Sequence, residues 1–451
     1  MEAIELTQAI AEAVRAAGGR ALVVGGWVRD RLLGTPSTDV DLEVFGLAED
    51  HLRPLLTTFG HVEAVGASFQ VFKVGGIDVS LPRRDSKSGR GHRGFVVDGD
   101  ETLSVADAAR RRDFTINAIS WDPLTGEYLD PVHGRDDLAR RLLRVVDRTT
   151  FSDDSLRVLR ALQFAARFDL TLEDDTREIC RTIPLDDLPA ERVWGELEKL
   201  LSAPRPSIGL ALALDLGVVA KLFPELLALV GCPQEPEWHP EGDVWVHTLQ
   251  VVDQARTRVD DLPRPERLAI MLGAVTHDFG KPATTAFSDG RIRSIDHEEQ
   301  GVAPATAFLD RLKIHSVDGY DVRAQVLGMT AQHLKPGMWF KTRDIVGDGA
   351  FRRLAHKVDL ELLARLAKSD CLGREPGHFN CEAMDWFLER ARALGVEHRP
   401  PGPILLGRHL QAIGMAPGRR MGEVLKAVYE QQLDGAVTTL DDALSAARRL
   451  L

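Results

Sequence analysis

Residues 21–46, ALVVGGWVRDRLLGTPSTDVDLEVFG, constrain this chain more than any other stretch. An apolar run enters two adjacent glycines. VRDRLLG follows at helical spacing and stops at Gly34, and DVDLEVF then alternates acidic and apolar residues. The reading is strand, glycine turn, short helix, strand. Asp39 and Asp41 are two residues apart in the second strand, so their carboxylates leave the same face. Hard divalent cations such as Mg²⁺ take oxygen ligands, commonly one or two carboxylates completed by substrate phosphates. Gly25 and Gly26 let backbone amides approach a triphosphate closely. Arg29, at the start of the helix, is placed to clamp phosphate oxygens. A lone Asp-x-Asp is most often a strand-end turn pair, but its union with the glycine turn and Arg-Asp in one unit is a much stronger signal.

Downstream, FQVFKVGGIDVSLPR reads as two strands around Gly75-Gly76, with Asp78 as a third carboxylate near the pair. Residues 3–17 read as a helix ended by Gly18-Gly19. From about residue 135 strand signals largely stop, and DDSLRVLRALQFAARF, ERVWGELEKLL and SIGLALALDLGVVAKLF read as amphipathic helices. The expected class is therefore α+β, a small mixed sheet with helices followed by mostly helical domains. Residues 231–243, GCPQEPEWHPEGD, read as a Pro- and acid-rich linker, and 397–403 as a second. Residues 83–93 hold five Lys/Arg and read as a basic loop that closes over nucleotide or contacts primer phosphates, or equally as a solvated surface loop. The expected boundaries are 1–145, 146–230, 240–375 and 376–451.

A chain of 451 residues is too long for one ordinary domain. Its net charge of −12 makes it no polycation, so any nucleic-acid contact must come from a local basic patch. The four cysteines, at 180, 232, 371 and 381, have no CxxC spacing, which argues against a zinc ribbon or disulfide framework and fits a reducing compartment. The first residues show no basic start or long apolar run, and no stretch reaches the length of a membrane span, so a cytoplasmic protein without a membrane partner is expected.

GGWVRDRLLG with DVDLEVF resembles the first motif of the class II tRNA nucleotidyltransferases, the group that includes CCA-adding enzymes and bacterial poly(A) polymerases. The resemblance continues in order through RRRDFTINAIS (110–120), FSDDSLRVLRALQFAARF (151–168), ERVWGELEKLL (191–201) and the C-terminal PILLGRHLQAIGMAPGRRMGEVLKAVYEQQLDG. It implies a polymerase-β-like nucleotidyltransferase head, with Asp39 and Asp41 binding catalytic Mg²⁺ and Arg29 contacting the nucleotide phosphates. It further implies that Arg112, Asp113 and Asn117 shape the sugar and phosphate pocket. Asp154 and Arg157 would read the base, with Arg160 beside them. Asp153 stands where the family usually has Glu. The implied partners are CTP, ATP and the 3′ acceptor end of tRNA.

Base reading also stands on chemistry. Cytosine and adenine both present an exocyclic amine beside an unprotonated ring nitrogen, which a carboxylate and a guanidinium match. Guanine and uracil reverse that order and leave buried polar groups mismatched, which a site rejects by large factors. Asp154 and Arg157 are three apart on an expected helix, hence on one face, where the bland alternative is an ordinary ion pair.

A second constellation follows: His247 in HTLQVVDQA, His277-Asp278 in LGAVTHDFGKP, and Asp370 in LAKSDCLGR, all in expected helices. Two imidazoles and two carboxylates suit a divalent metal. Their order resembles the HD phosphohydrolase superfamily, which makes these four residues metal ligands and Lys281 a phosphate partner. His297 and His333 are candidates for substrate contact or a second ion, or are surface histidines. The Asp-Phe-Gly at 278–280 lacks the other kinase signatures.

The leading expectation is an enzyme that adds CCA, or part of it, to tRNA from CTP and ATP, with a phosphatase or 2′,3′-cyclic phosphodiesterase activity in the HD unit. Motifs shared across the family do not separate this from a poly(A) polymerase or a CC-only or A-only enzyme. From other classes, a phosphohydrolase with a merely RNA-binding head, and an RNA-binding protein with two decayed sites, stand as rivals. Oligomeric state and the HD metal are left open.

Overall fold

The computed structural model of the chain describes residues 3–35, 37–65, 71–87, 95–374 and 381–451. The chain divides into two compact units, residues 1–200 with 208–222, and residues 201–207 with 223–451.

The first unit is built on strands β1 (Arg20–Val24), β2 (Val40–Phe45), β3 (Glu63–Val65), β4 (Val71–Val74), β5 (Ile77–Ser80), β6 (Arg83–Lys87), β7 (Phe95–Gly99), β8 (Ser120–Trp121) and β9 (Tyr128–Leu129). Seven form one sheet in the order β3-β4-β5-β2-β1-β8-β9. β2 runs parallel to β5, and the other neighbours are antiparallel. Alternation along β2 decides what each face does. Val40, Leu42 and Val44 enter a core with Ile10 and Val14 of the helix Ala3–Ala16 and Leu52 and Leu56 of the helix Glu49–Thr57, while Asp41 is exposed. The β4–β5 turn needs its glycines. Gly75 and Gly76 have φ of 55° and 85°, the two-residue hairpin conformation, and a Cβ on Gly75 would lie 2.4 Å from Leu6 Cδ2.

The basic stretch expected as a loop is partly strand: β6 pairs antiparallel with β7, Arg83 opposite Gly99 and Lys87 opposite Phe95. The rest of that stretch, from residue 88, lies outside the described residues. Beyond the sheet come helices Leu156–Phe168, Asp174–Thr182 and Ala190–Leu201. The first packs directly on the head, because buried Phe114 meets Phe164 and Phe151 edge-on at 5.8 and 5.5 Å.

The second unit gathers helices Val244–Arg256, Arg264–Thr276, Val322–Gln332 and Leu360–Leu372 around an apolar centre. Its helical pattern is broken by a hairpin, Thr285–Ser288 with Arg291–Ser294, turning at Asp289-Gly290. The C-terminal helices, Arg419–Leu433 and Leu440–Arg448 among them, close around their own cluster of Leu410, Met421, Val424, Val428 and Ala443. The expectation of no disulfide is corrected: Cys371 and Cys381 are bonded, their Cα atoms 6.0 Å apart, while Cys180 and Cys232 are free and buried. The bonded pair lie ten positions apart in the sequence, and only the fold brings them together. Among the described residues no helix is long and apolar enough to cross a membrane.

Candidate functional sites

In the first unit the glycine turn, β2 and β5 meet. Gly25 has φ 72°, which L side chains rarely adopt, and a Cβ there would lie 3.5 Å from Asp41 Oδ2 and 3.6 Å from Arg112 Nη1. Parallel register sets Asp41 beside Asp78. Asp39 lies just before β2, and Glu43 continues the alternation. Asp41 is exposed, but the atoms packed around it partly desolvate its carboxyl and raise it above its ordinary value. Arg112 pulls it down, and Asp78, Asp39 and Glu43 push it further up. A crowd of carboxylates answered mainly by one guanidinium is the environment that a divalent cation relieves, so the residues present fit such an ion. Asp78 has its own counter-ion, since Lys73 Nζ donates to both oxygens at 2.8 and 3.0 Å. Glu43 is buried, 3.6 Å from Arg112, and was missed although Asp39, Asp41 and Glu43 repeat every second residue.

Arg29, expected as a phosphate clamp, is held inward by the fold, with Nη2 bordering the glycine turn, 3.5 Å from where a Cβ on Gly26 would lie. It is 4% exposed, donates from Nε to Asp30 at 2.8 Å and from Nη1 to Asn117 Oδ1 at 2.7 Å, and lies 4.2 Å over the Phe168 ring. Its charge instead ties the glycine-turn helix to the helix Leu156–Phe168. Asn117 in turn donates to Asp113 Oδ1 at 3.0 Å, and Arg160 Nε donates to Asp113 Oδ2 at 2.6 Å. Burial raises the Asp113 carboxyl, but Arg160, Asn117 and the Phe114 amide outweigh it and leave it below the ordinary range. Asp113, Asn117 and the partly buried Arg160 thus form one hydrogen-bonded framework with Arg29. Arg112, partly exposed, faces Glu43.

The base-reading pair is placed differently from the expected helix face. Asp154 precedes the helix that starts at Leu156 and accepts from the Leu156 amide at 3.1 Å. Arg192, from the helix Ala190–Leu201, holds both of its oxygens at 3.2 and 2.9 Å. Arg157 donates to the carbonyls of Thr150 and Arg111, each at 3.0 Å. The helix starts at Leu156, three residues later than the pattern from Asp153 suggests, and this explains the difference. Arg192 was missed because a surface arginine in a helix carries no sequence mark.

The second unit brings all the expected histidines and acids together. His277 caps the helix Arg264–Thr276 and Asp278 follows it, so neither lies within the helix as expected. His247 Nε2 lies 3.0 Å from Asp370 Oδ1, and His297 Nε2 lies 3.3 Å from Asp278 Oδ1 and 3.2 Å from His333 Nε2. These are two candidate metal groups, His247–His277–Asp370 and Asp278–His297–His333. Every imidazole is fixed from behind. The Nδ1 atoms of His277, His297 and His333 face the carbonyls of Ala274, Ser294 and Thr330 at 2.8–2.9 Å, and that of His247 faces Glu241 Oε1 at 2.8 Å. This turns all four Nε2 atoms inward, the arrangement of metal-ligating histidines. His277 Nε2 is buried and its nearest acidic neighbour is Asp278 Oδ2 at 3.3 Å, so it faces the group of ligand atoms that a metal would join. Lys281 Nζ lies 2.8 Å from Asp278 Oδ2. Although burial opposes ionisation, Lys281, His277 and His297 hold Asp278 well below the ordinary range. Burial and the neighbouring imidazoles lower His333 to about 3, which keeps it neutral and able to ligate. The expected linker is part of this site: Gln234 accepts from Lys281 at 2.6 Å, and Glu241 also bonds His239 at 2.8 Å.

A nucleotidyltransferase head on a mixed sheet, joined in one chain to a helical unit that gathers buried histidines and aspartates into candidate metal groups, is the class that these features define. Comparison with known proteins narrows it. The Poly A polymerase head domain family matches residues 21–144, and the family described as a probable RNA and SrmB-binding site of polymerase A matches residues 169–229. A Multifunctional CCA protein of Xanthomonas campestris pv. campestris (strain B100) is 38% identical over 418 residues, 89% of this chain and 95% of its own. One from Stenotrophomonas maltophilia (strain K279a) is 42% identical over 303 residues, 65% of this chain and 71% of its own. The chain belongs to the multifunctional CCA protein family. The Bacillus stearothermophilus CCA-adding enzyme in complex with CTP shares the fold, with a TM-score of 0.65 at 21% identity over 100% of this chain and 98% of that one. So does the Thermotoga maritima enzyme complexed with tRNA, with a TM-score of 0.59 at 20% identity over 99% and 95%.

Proposed function

We propose that this protein builds the CCA end of tRNA from CTP and ATP. The observation that carries the reading is the carboxylate cluster of Asp39, Asp41 and Asp78, with Arg112 and the glycine turn beside it. The 3′ hydroxyl of tRNA attacks the α-phosphate, and pyrophosphate leaves. Mg²⁺ held by Asp39 and Asp41 would supply the electrostatic stabilisation of attacking and departing oxygens. Asp78 and Glu43 complete the acidic wall, and Arg112 meets the phosphates. Asp154 accepts from the amine of cytosine or adenine. Arg192 orients that carboxylate: Oδ1 accepts from both Arg192 and the Leu156 amide, and Oδ2, which accepts from Arg192 alone, keeps a second position for the amine. Arg157, with two of its N–H groups committed to carbonyls, offers another to the ring nitrogen. A tRNA lacking its 3′ end, incubated with labelled CTP, ATP or both, tests this. Ordered growth by two C and one A is expected. Incorporation of A alone in long runs would make the chain a poly(A) polymerase, and incorporation of neither would end the nucleotidyltransferase reading.

The inward-facing Nε2 atoms favour a second activity in the same chain, hydrolysis of a terminal or 2′,3′-cyclic phosphate on RNA. A divalent metal bound there would polarise water and phosphate. Lys281 holds the phosphate in place, and Glu241 keeps His247 oriented. Asp41→Ala is expected to abolish nucleotide addition and spare phosphate release, and His277→Ala to do the reverse. Loss of both activities in either variant would contradict two separate centres.

A further inference from the structure

A basin of about 880 Å³ opens over the metal centre of the second unit, lined by Asp278, His297, His333 and Asp370 at its floor. That volume is far more than a phosphate requires and falls within the range of sites that hold whole small molecules. Its wall is formed by the 231–243 segment and by the Thr285–Ser294 hairpin, fixed to each other where the Ile292 amide donates to Glu235 at 2.9 Å. On this wall stands Trp238, 49% exposed, the only tryptophan among the described residues that remains so open to solvent. Arg291 lies 5.7 Å over its ring and is held by Glu237 at 2.9 Å, so the indole sits in a built setting. Arg374, Lys341 and Lys281 add positive charge around the same basin.

An aromatic face next to cations and above phosphate-handling residues matches one ligand chemistry, a base carried on a sugar phosphate. We propose that Trp238 is the base platform of this site, and that the basin therefore takes a nucleoside-borne phosphate in preference to a phosphate ester without a base. The proposal rests on the phosphohydrolase reading and adds a specificity residue from a stretch that reads as a linker. An exposed indole with Met338 and Ile295 near the rim would also suit a protein partner, but the surrounding positive charge and the phosphate site favour the nucleotide.

The test is calorimetric binding of adenosine 2′-monophosphate and of ribose 5-phosphate to full-length, Mn²⁺-loaded protein. An Asp41→Ala background silences the other nucleotide site. The nucleotide should bind more tightly than the sugar phosphate, and Trp238→Ala should weaken the nucleotide roughly 5- to 100-fold, the range one base–aromatic stack supplies. Sugar phosphate binding and Mn²⁺ content should not change, and Trp238→Phe should restore most of the nucleotide affinity. If Trp238→Ala weakens both ligands alike, or neither, the base platform is disproved while the phosphohydrolase reading stands. If neither ligand binds the metal-loaded protein, the phosphohydrolase reading fails and the proposal with it.

Discussion

Glu241 lies in a Pro- and acid-rich stretch that reads as a linker, yet its carboxylate is buried between His239 and His247. Burial raises its pKa, but hydrogen bonds from both rings outweigh that and bring it down to about 2. An ionised carboxylate behind His247 fixes the tautomer that leaves Nε2 free, and removal of such a partner typically costs 10- to 100-fold in metal affinity. Glu241→Ala is expected to weaken metal binding in the second unit by roughly that factor, read by equilibrium dialysis, with an unchanged far-ultraviolet spectrum. A linker composition hides this role, because burial is a property of the fold and not of the residue. Asp113 gives the matching case in the head. Its folded pKa is depressed below the ordinary 3.8, so its stabilising contribution is complete above that value and is lost as pH falls through the folded pKa. Asp113→Asn should lower stability by about 3 kcal/mol at neutral pH, the low end for breaking a buried pair, since Arg160 loses its partner but is one third exposed. The gap to wild type should narrow in acid, as denaturant unfolding at pH 7 and pH 3 would show. That Asp41 stands on the strand after the glycine turn, with Asp39 two residues before it, was readable from the spacing within the strand–turn–helix–strand unit. Whether Arg29 faces phosphate or Phe168 was not, because both settings use the same guanidinium.

At the scale of elements, glycines mark where backbones must approach. Gly280, between Asp278 and the helix Lys281–Thr284, has ordinary φ, but a Cβ there would lie 2.0 Å from the His297 carbonyl oxygen and 2.6 Å from the Gly301 amide. Gly280→Ala must therefore push the helix His297–Gln300 away from Asp278. Overpacking of this kind costs about 1–3 kcal/mol. The expected result is a destabilised second unit with weakened metal binding while nucleotide addition persists, and unaltered metal affinity would show that the contact has slack. The strand–turn–helix–strand head was readable because glycine turns and period-two alternation are local signals. The hairpin at 285–294 carried such a signal as well, Asp289-Gly290 with φ of 53° and 77°, but it sits inside a helical context that masks so short a pair. The Arg192–Asp154 clamp was not readable, since it joins a helical arginine to a carboxylate 38 positions away, just before another helix, through side chains that look like surface charges.

The chain divides into two compact units, each with its own candidate site, and ligand linkage offers a way to separate them. A ligand that binds only the folded state of one unit stabilises that unit by an amount set by its concentration over its dissociation constant, about 2.7 kcal/mol at one hundred times Kd. For a unit of this size that corresponds to a rise of roughly 5–10 °C in its melting temperature. Stripping the second unit's metal with a chelator should therefore lower one calorimetric transition and leave the other in place. Adding CTP with Mg²⁺ should raise the remaining transition, and Asp41→Ala should remove that rise without touching the chelator-sensitive one. His277→Ala should have the opposite pattern, because its buried Nε2 serves only the second centre. A single transition that moves with both ligands would mean that the two units unfold together, and that a lesion in either site is felt as lost stability in the other.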